Sequence, residues 1–206
     1  MNKALLLVAG SLAFVAASAA TPASANVILP APQVSTKSQD AFFDHLRAHC
    51  GKAYEGKVAM NNPASSGFEG RLIMHVRKCT DRELQIPFHV GDNHSRTWIL
   101  TKTGSGISLK HDHRNADGSY DELTMYGGHT IDAGFDRVQS FPVDAYSIEH
   151  FVDLGLAVSN TNVWQMFIYP EVFTYRLTRA GREFRVEFDL TKPVALPPTP
   201  WGYAGN

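Results

Sequence analysis

The sequence predicts an all-β protein: an antiparallel meander β-barrel of about eight to ten strands with two short helices. Segments in which apolar and polar residues alternate recur along the chain, and short turns containing Gly, Asp or Asn separate most of them. In a chain of this size the edge strands of an open sheet would be unprotected, and closing the sheet into a barrel removes those edges. A β-sandwich is the alternative, because strands alternate in the same way in both architectures.

The N-terminal residues predict a signal peptide spanning residues 1–25. Lys3 supplies a short positive start. The uncharged run that follows is too short and too rich in Ala, Ser and Gly for a stable membrane span. Small residues at Ala23 and Ala25 place the cleavage before Asn26, and Ala17-Ser18-Ala19 is a weaker second candidate. The protein is therefore expected to be exported, to the periplasm or the exterior, and no later run predicts a membrane span.

Residues 26–206 are predicted to form a single domain, with an extended N-terminal arm at 26–37 and a Pro-rich C-terminal tail. Without Lys3 the chain carries 18 basic and 20 acidic residues, which gives a net charge of −2 with neutral histidines. Nucleic-acid binding depends on a basic surface that displaces phosphate counterions, so no nucleic-acid partner is expected. Nothing in the sequence indicates an oligomeric state.

Both predicted helices carry terminal signals. Ser38 fits the N-cap of the first helix, and Gly51 follows its last turn. Asp144 fits the N-cap of the second helix, and Gly155 ends it. The first helix also has an apolar stripe that predicts a buried face, formed by Phe42, Phe43 and Leu46.

Cys50 and Cys79 are the two cysteines of the chain. In an exported protein a lone pair is most simply a disulfide, which would join the end of the first helix to an early strand. The alternatives are a metal site and a thiol nucleophile. The first lacks partner residues at ligand spacing, and the second would not need both cysteines.

Strands are predicted from residue 72 onward. Pro87 cannot donate a backbone hydrogen bond, which predicts an edge or irregular strand at 84–90. The final strand alternates, with Phe184, Val186, Phe188 and Leu190 predicted to point inward. That final strand is REFRVEFDL at 182–190. The remaining predicted strands are LIMHVRKC at 72–79, three within 96–128, RVQSFPV at 137–143, VWQMFIY at 163–169 and VFTYRLT at 172–178.

The central stretch, residues 96–128, contains the densest set of chemically capable side chains. A two-residue loop at 104–105 would pair Arg96 with His113, Trp98 with His111, and Leu100 with Leu109. Because side chains alternate, these residues share one face, and the Trp and Leu residues predict that it points inward. On the same reasoning, the outward face carries Lys110, Asp112 and Arg114.

The second hairpin of this stretch gives two conflicting signals. An even-length loop, at 117–118 or 115–118, would point Tyr120, Glu122, Thr124 and Tyr126 inward with the histidines. An odd loop would instead point Asp121, Leu123 and Met125 inward, and the apolar character of Leu123 and Met125 favours it. The turn residues fit the even loop, and we therefore predict the first arrangement.

These side chains predict a small-molecule site at one end of a barrel lumen. Ligand sites combine apolar walls with a few convergent polar groups. An arginine and histidines suit a carboxylate or another anionic group on a partly apolar ligand. The predicted ligand-binding residues are Arg96, Trp98, His111, His113, Tyr120, Glu122 and Tyr126.

A divalent metal is a second interpretation of the same residues. Histidines at i and i+2 on one strand can reach a single ion, and a carboxylate can complete the site, which would contain His111, His113 and Glu122. Such a site would support a metal-dependent hydrolase or oxygenase. The plainest interpretation is that both histidines are ordinary hydrogen-bonding residues near the end of a strand.

The strand meander with inward Trp98 and Arg96 resembles the general plan of calycin-type barrels, the lipocalins and fatty-acid-binding proteins. That resemblance implies a ligand-binding barrel and assigns no residue. The runs RTWIL, KHDHR, TMYGG and VEFDLTKPV are similar to a type of exported bacterial protein, and this similarity implies no activity. Besides a ligand-binding barrel and a metal-dependent enzyme, a structural or envelope-interaction module is a third function compatible with the sequence.

Overall fold

A computed structural model describes residues 37–205. The predicted signal peptide, and all of the predicted N-terminal arm except Lys37, lie outside these described residues. Two α-helices are present, α1 (Lys37–Arg47) and α2 (Ala145–Asp153), with a 3₁₀ helix at Ala157–Thr161. Because Lys37 already belongs to α1, Ser38 lies inside the helix and is not its N-cap.

The described residues form one antiparallel sheet of eleven strands that curls into a nearly closed barrel. Its order, β7-β6-β5-β4-β2-β1-β11-β10-β9-β8, is a meander, and the short β3 pairs beside it with β4. The strands are β1 (Ala53–Asn62), β2 (Leu72–His75), β3 (Lys78–Cys79), β4 (Glu83–Val90), β5 (Asn93–Lys102), β6 (Ile107–His113), β7 (Tyr126–His129), β8 (Val138–Pro142), β9 (Val163–Ile168), β10 (Val172–Arg179) and β11 (Arg182–Val194). The prediction of an antiparallel all-β barrel with two helices is confirmed.

The barrel closes through two unequal seams. One is the long pairing of β1 with β11. The other joins β7 to β8 through a single bridge between Gly128 and Val143, supported by a hydrogen bond from the Asp144 amide to the Gly127 carbonyl (3.1 Å). The wall is therefore weakest between β7 and β8.

Two strand predictions need correction. Strand β4 is interior, with β5 on one side and β2 and β3 on the other, so Pro87 does not mark an edge. Pro87 is tolerated because the ladder beside it is interrupted between His75 and Lys78. Strand β1 was not predicted. Its bulges shift the register, and Val58 and Met60 are both exposed, so its apolar residues do not mark an inward face.

The core lies inside the barrel and continues under α1. Phe184, Val186, Phe188 and Leu190 of β11 are buried, as their alternation predicted. The α1 stripe of Phe42, Phe43 and Leu46 is fully buried in the same cluster. Polar contacts fix α1 beside the β5–β6 turn: Gln39 donates to Thr130 Oγ1 (3.1 Å), and Lys102 pairs with Asp40 (2.8 Å). Helix α1 therefore covers the end of the barrel at which this turn lies.

The predicted disulfide between Cys50 and Cys79 is present. It joins the turn after α1 to β3. The predicted cap of α2 is also present, since the Ser147 amide donates to Asp144 Oδ1 (2.9 Å). Among residues 37–205, no helix has the length and apolar character needed to cross a membrane.

The outer face of β6 is not the solvated surface that strand alternation predicted. Asp112 is only 2% exposed, because Arg114 and the C-terminal tail cover it. Its carboxylate accepts hydrogen bonds from Arg114 Nε (2.9 Å) and from the Tyr203 hydroxyl (2.5 Å). Lys110 is also partly covered, because it pairs with Asp144 at the start of α2 (2.5 Å).

Candidate ligand cavity

A cavity of about 300 Å³ lies in the barrel, at the end away from the β5–β6 turn. Its walls come from β4, β5, β6, β7, β9, β10 and β11, from the β1–β2 loop and the segment before β7, and from α2 and the segment that follows it. The lining residues are Ser65, Phe68, Phe88, Arg96, Thr97, Trp98, His111, His113, Leu123, Tyr126, Phe151, Leu156, Ser159, Asn162, Trp164, Tyr175, Leu177, Arg179, Arg182 and Phe184. Aromatic rings and cations dominate this set.

The aromatic rings pack on one another and form much of the cavity surface. The Trp98 ring stacks on that of Tyr175 (centroids 4.6 Å apart, planes 21° apart) and on that of Phe88 (5.0 Å and 13°). Trp98 and Tyr175 come from different parts of the barrel wall, since β5 and β10 are not neighbours in the sheet, whereas Phe88 lies on β4 beside β5. Ring pairs of this kind contribute about 0.5–1.5 kcal/mol beyond the apolar area that they bury, so they stabilise this arrangement of the cavity wall.

The first hairpin of the central stretch has the predicted register. Arg96 pairs with His113, Trp98 with His111, and Leu100 with Leu109. Trp98 and His111 are buried, and all four residues of the first two pairs line the cavity. The two-residue loop therefore orients these side chains as the alternation rule requires.

The second hairpin differs from the prediction. Arg114 pairs with Tyr120 across an odd loop, and Tyr120 is 61% exposed, with the Arg114 guanidinium 3.5 Å from its ring centroid. Glu122 is also exposed, and its backbone carbonyl accepts a hydrogen bond from His150 Nε2 (2.9 Å). The predicted inward orientation of Tyr120 and Glu122 is wrong, and neither residue lines the cavity.

Tyr126 nevertheless lies beside the histidines, because the strand register changes between the loop and Tyr126. Residues 121–125 oppose only two residues of β6, and this irregular segment resets the register so that Tyr126 pairs with His111. Met125 takes a positive φ of 55° within it. The rings of Tyr126 and His111 then stack at 4.7 Å with 9° between their planes.

Both ring nitrogens of His111 have protein partners. Nδ1 lies 3.2 Å from the Tyr126 carbonyl, which can only accept, so Nδ1 carries the proton. Nε2 then accepts a hydrogen bond from the Tyr175 hydroxyl (2.8 Å). Burial, reinforced by the neighbouring His113, lowers the pKa of His111 to about 3, so its ring is neutral at neutral pH.

His113 and Tyr126 form a second polar pair in the cavity. The Tyr126 hydroxyl lies 3.2 Å from His113 Nε2. Burial and then the Arg96 charge lower the pKa of His113 to about 4. Burial raises the pKa of Tyr126 to about 12, although Arg96 opposes that shift. Both groups are therefore neutral at neutral pH and can act as hydrogen-bonding partners without adding charge.

Three arginines supply the charge of the cavity. Arg96 has a buried Nη1 without a hydrogen-bond partner, and its guanidinium lies 5.7 Å from the Phe68 ring centroid. Arg179 donates to Asn162 Oδ1 (3.2 Å), and Arg182 donates to the Ser65 hydroxyl (2.8 Å). Within residues 37–205 none of the three forms an ion pair, and no Asp or Glu is among the cavity-lining residues.

The predicted metal ligands do not converge. Glu122 lies outside the cavity, and both nitrogens of His111 are engaged by Tyr126 and Tyr175. Across the described part of the chain, no group of three or more His, Cys, Asp or Glu side chains is arranged to hold an ion. The donor set proposed from the sequence therefore does not fit a metal site.

Arg179 and Arg182 were not predicted as site residues, although the sequence held a signal for them. Arg182 is in phase with Phe184 and Val186, and Arg179 is in phase with Leu177 and Tyr175. A charged residue in phase with inward apolar residues is unusual unless it serves a site. The same signal applies to Arg96, which is in phase with Trp98 and Leu100. Phe68 had no such signal, because it lies in the β1–β2 loop.

Comparison of the chain with protein-family models, with curated proteins and with solved structures found no match. The cavity is therefore the feature of the molecule that bears most directly on function.

Proposed function

We propose that this protein is an exported binding protein that holds a small, partly apolar anion inside its β-barrel. The observation that carries the proposal is the composition of the cavity. Three arginines that form no ion pair within residues 37–205 share one cavity with a wall of aromatic rings. A calycin-like mode of binding, with the ligand in the barrel lumen, is part of the proposal.

The unpaired cations favour an anionic ligand on energetic grounds. A buried charge is costly unless it is paired, and the Arg96 Nη1 atom has no partner among the described residues. Arg179 and Arg182 are direct cross-strand partners, an arrangement in which like charges repel. Burial and the Arg179 charge both lower the pKa of Arg182, as expected for a cation without a counter-ion. A bound anion would offset both the buried charge of Arg96 and the repulsion between Arg179 and Arg182.

Export is supported by two features of the chain. The first is the N-terminal targeting pattern, and the second is the disulfide between Cys50 and Cys79, which is compatible with an oxidising compartment. Neither alternative function has comparable support. The donor set does not fit a metal-dependent hydrolase or oxygenase, and an interior cavity is not a feature that an envelope-interaction module requires.

Titration with anilinonaphthalene sulfonate, a fluorescent apolar anion, tests the proposal. We expect saturable binding of one molecule per chain, displaced by added carboxylates. Leu177→Trp should abolish it, because Leu177 lines the cavity and the larger ring would fill it. The matched control is Leu196→Trp, at an exposed position in the tail. Binding that is unsaturable, or equal in both variants, would overturn the proposal, and native mass spectrometry of the gently purified protein would identify any retained ligand.

A further inference from the structure

We infer that the cavity selects a planar aromatic carboxylate, with the carboxylate at Arg96 and the aromatic body between the aromatic walls. This inference depends on the proposed function and specifies its ligand class. It combines three independent features of the cavity: its size, the aromatic composition of its walls, and the position of its charges.

The size of the cavity limits the ligand. A volume of about 300 Å³ is at the lower end of the range for small-molecule sites. Helix α1 fills the opposite end of the barrel with three fully buried apolar side chains, so the lumen does not continue past the core. A long flexible chain would have to fold back on itself in this space and would lose much conformational freedom.

Aromatic side chains form much of the cavity wall. Eight aromatic side chains line the cavity: Phe68, Phe88, Trp98, Tyr126, Phe151, Trp164, Tyr175 and Phe184. Stacked and edge-to-face arrangements between rings contribute about 0.5–1.5 kcal/mol beyond the apolar area that they bury. An aromatic ligand gains this additional term and an aliphatic one does not. A rigid ring system also has few rotamers to lose on binding.

The charges lie together at one end of the cavity. Arg96 is near the start of β5, at the end of the barrel away from the β5–β6 turn, and Arg179 and Arg182 flank the β10–β11 turn. Phe68 and Phe184 connect these groups, since their rings pack at 4.2 Å and the guanidinium groups of Arg96 and Arg182 lie 5.7 Å and 5.8 Å from the respective ring centroids. A ligand therefore meets cations at this end and rings farther inside.

Arg96 is the favoured carboxylate partner among the three. Arg179 and Arg182 already donate to neutral oxygens, whereas the Nη1 of Arg96 has no acceptor. A guanidinium binds a carboxylate through two parallel hydrogen bonds. The neighbouring His113 and Tyr126 are neutral at neutral pH and can complete the head-group contacts without repelling or neutralising the anion. Arg179 and Arg182 then add electrostatic attraction for the carboxylate at the same end of the cavity.

The experiment compares three compounds: naphthoate, its uncharged methyl ester, and undecanoate, a flexible carboxylate with the same number of carbon atoms. Quenching of Trp98 and Trp164 reports binding, in a Trp201→Phe background that removes the tryptophan outside the cavity. We expect naphthoate to bind at least about tenfold more tightly than either of the others, since each lacks one of the two recognition elements.

The Arg96→Gln variant identifies the head-group site. It should weaken naphthoate binding about tenfold or more and leave binding of the ester unchanged, which also shows that the variant is folded. Arg71→Gln, which changes an exposed arginine that pairs with Glu55, is the matched control and should change neither affinity.

If undecanoate binds as tightly as naphthoate, the aromatic specificity is wrong while the anion-binding function stands. If Arg96→Gln leaves naphthoate affinity unchanged, the assignment of the head group to Arg96 is wrong. If no compound binds and anilinonaphthalene sulfonate also fails, the proposed function fails with it.

Discussion

His89 and His94 face each other across the β4–β5 turn with their Nδ1 atoms 2.9 Å apart. One of these nitrogens must carry the proton and the other must accept it, so the contact cannot survive protonation of both rings. His89 is also buried, and its Nε2 has no hydrogen-bond partner. The Trp201 amide donates to the His94 carbonyl (3.1 Å), which joins this pair to the C-terminal tail.

Acid should destabilise the fold through its buried histidines. Burial lowers the pKa of His89 to about 4, with smaller contributions from His94 and His75, and the pKa values of His111 and His113 are about 3 and 4. In the unfolded chain each would titrate near its ordinary value of 6.5. Between about pH 4 and pH 6.5 the unfolded state binds more protons than the folded state. The contribution of these histidines to the free energy of unfolding is therefore fully present above about pH 6.5 and is lost as the pH falls towards about 4.

Urea unfolding between about pH 7 and pH 5 measures this loss. Each of the three histidines should contribute a slope of up to about 1.4 kcal/mol per pH unit below its unfolded pKa. His89→Gln removes one titrating group and should reduce the slope by its share. A free energy of unfolding that is constant over this range would contradict the neutral, buried state of these rings.

The C-terminal tail should depend on the buried carboxylate of Asp112. Asp112→Asn weakens the contacts with Arg114 and Tyr203, and we expect it to lower the free energy of unfolding by about 1–3 kcal/mol. Tyr203→Phe should cost less but should expose the tail to limited proteolysis. Asp117→Asn is the control, because that carboxylate accepts hydrogen bonds from Ser119 within an exposed turn, away from the tail. Equal protease resistance in wild type and Tyr203→Phe would show that other contacts hold the tail.

Removal of the disulfide should destabilise the protein without changing its fold. Cys50 and Cys79 are 29 residues apart, and closing a loop of this size stabilises by about 3–4 kcal/mol in the chain-entropy model. The Cys50→Ala/Cys79→Ala double variant should show this loss in urea unfolding. The reductant dithiothreitol should lower the melting temperature of the wild type and have no effect on the double variant. A reductant effect of equal size in both would indicate a cause other than this bond.

Closure of the barrel should be sensitive to Gly128. A Cβ atom at this position would overlap the backbone carbonyls of Phe141 and Pro142, so Gly128→Ala must push β7 away from β8. We expect a loss of about 1–3 kcal/mol, typical of overpacking, and faster hydrogen exchange at the Asp144 amide, which bonds across this seam. Ser108→Ala, on the adjacent strand β6, should change neither quantity. Unchanged exchange at Asp144 in Gly128→Ala would show that the seam does not need the glycine.

Features that depend on neighbouring residues could be predicted from the amino-acid sequence. Alternation in β11 identified its buried face, because successive side chains of a strand point to opposite sides. The two-residue loop at 104–105 fixed the pairing of Trp98 with His111, since a tight turn leaves no freedom of register. The disulfide followed from there being two cysteines in a chain with a targeting pattern.

Features that depend on residues far apart in the chain became visible in the folded structure. The irregular segment 121–125 set which residues of the second hairpin face inward, and loop length could not reveal it because the register is reset after the turn. Asp112 is buried by Tyr203, a residue far away in sequence. The cavity itself depends on closure of the sheet, which brings Arg96 of β5 into one lining with Arg179 and Arg182 of the β10–β11 hairpin. Alternation shows which face each arginine takes, but only the curvature of the whole sheet determines which faces meet.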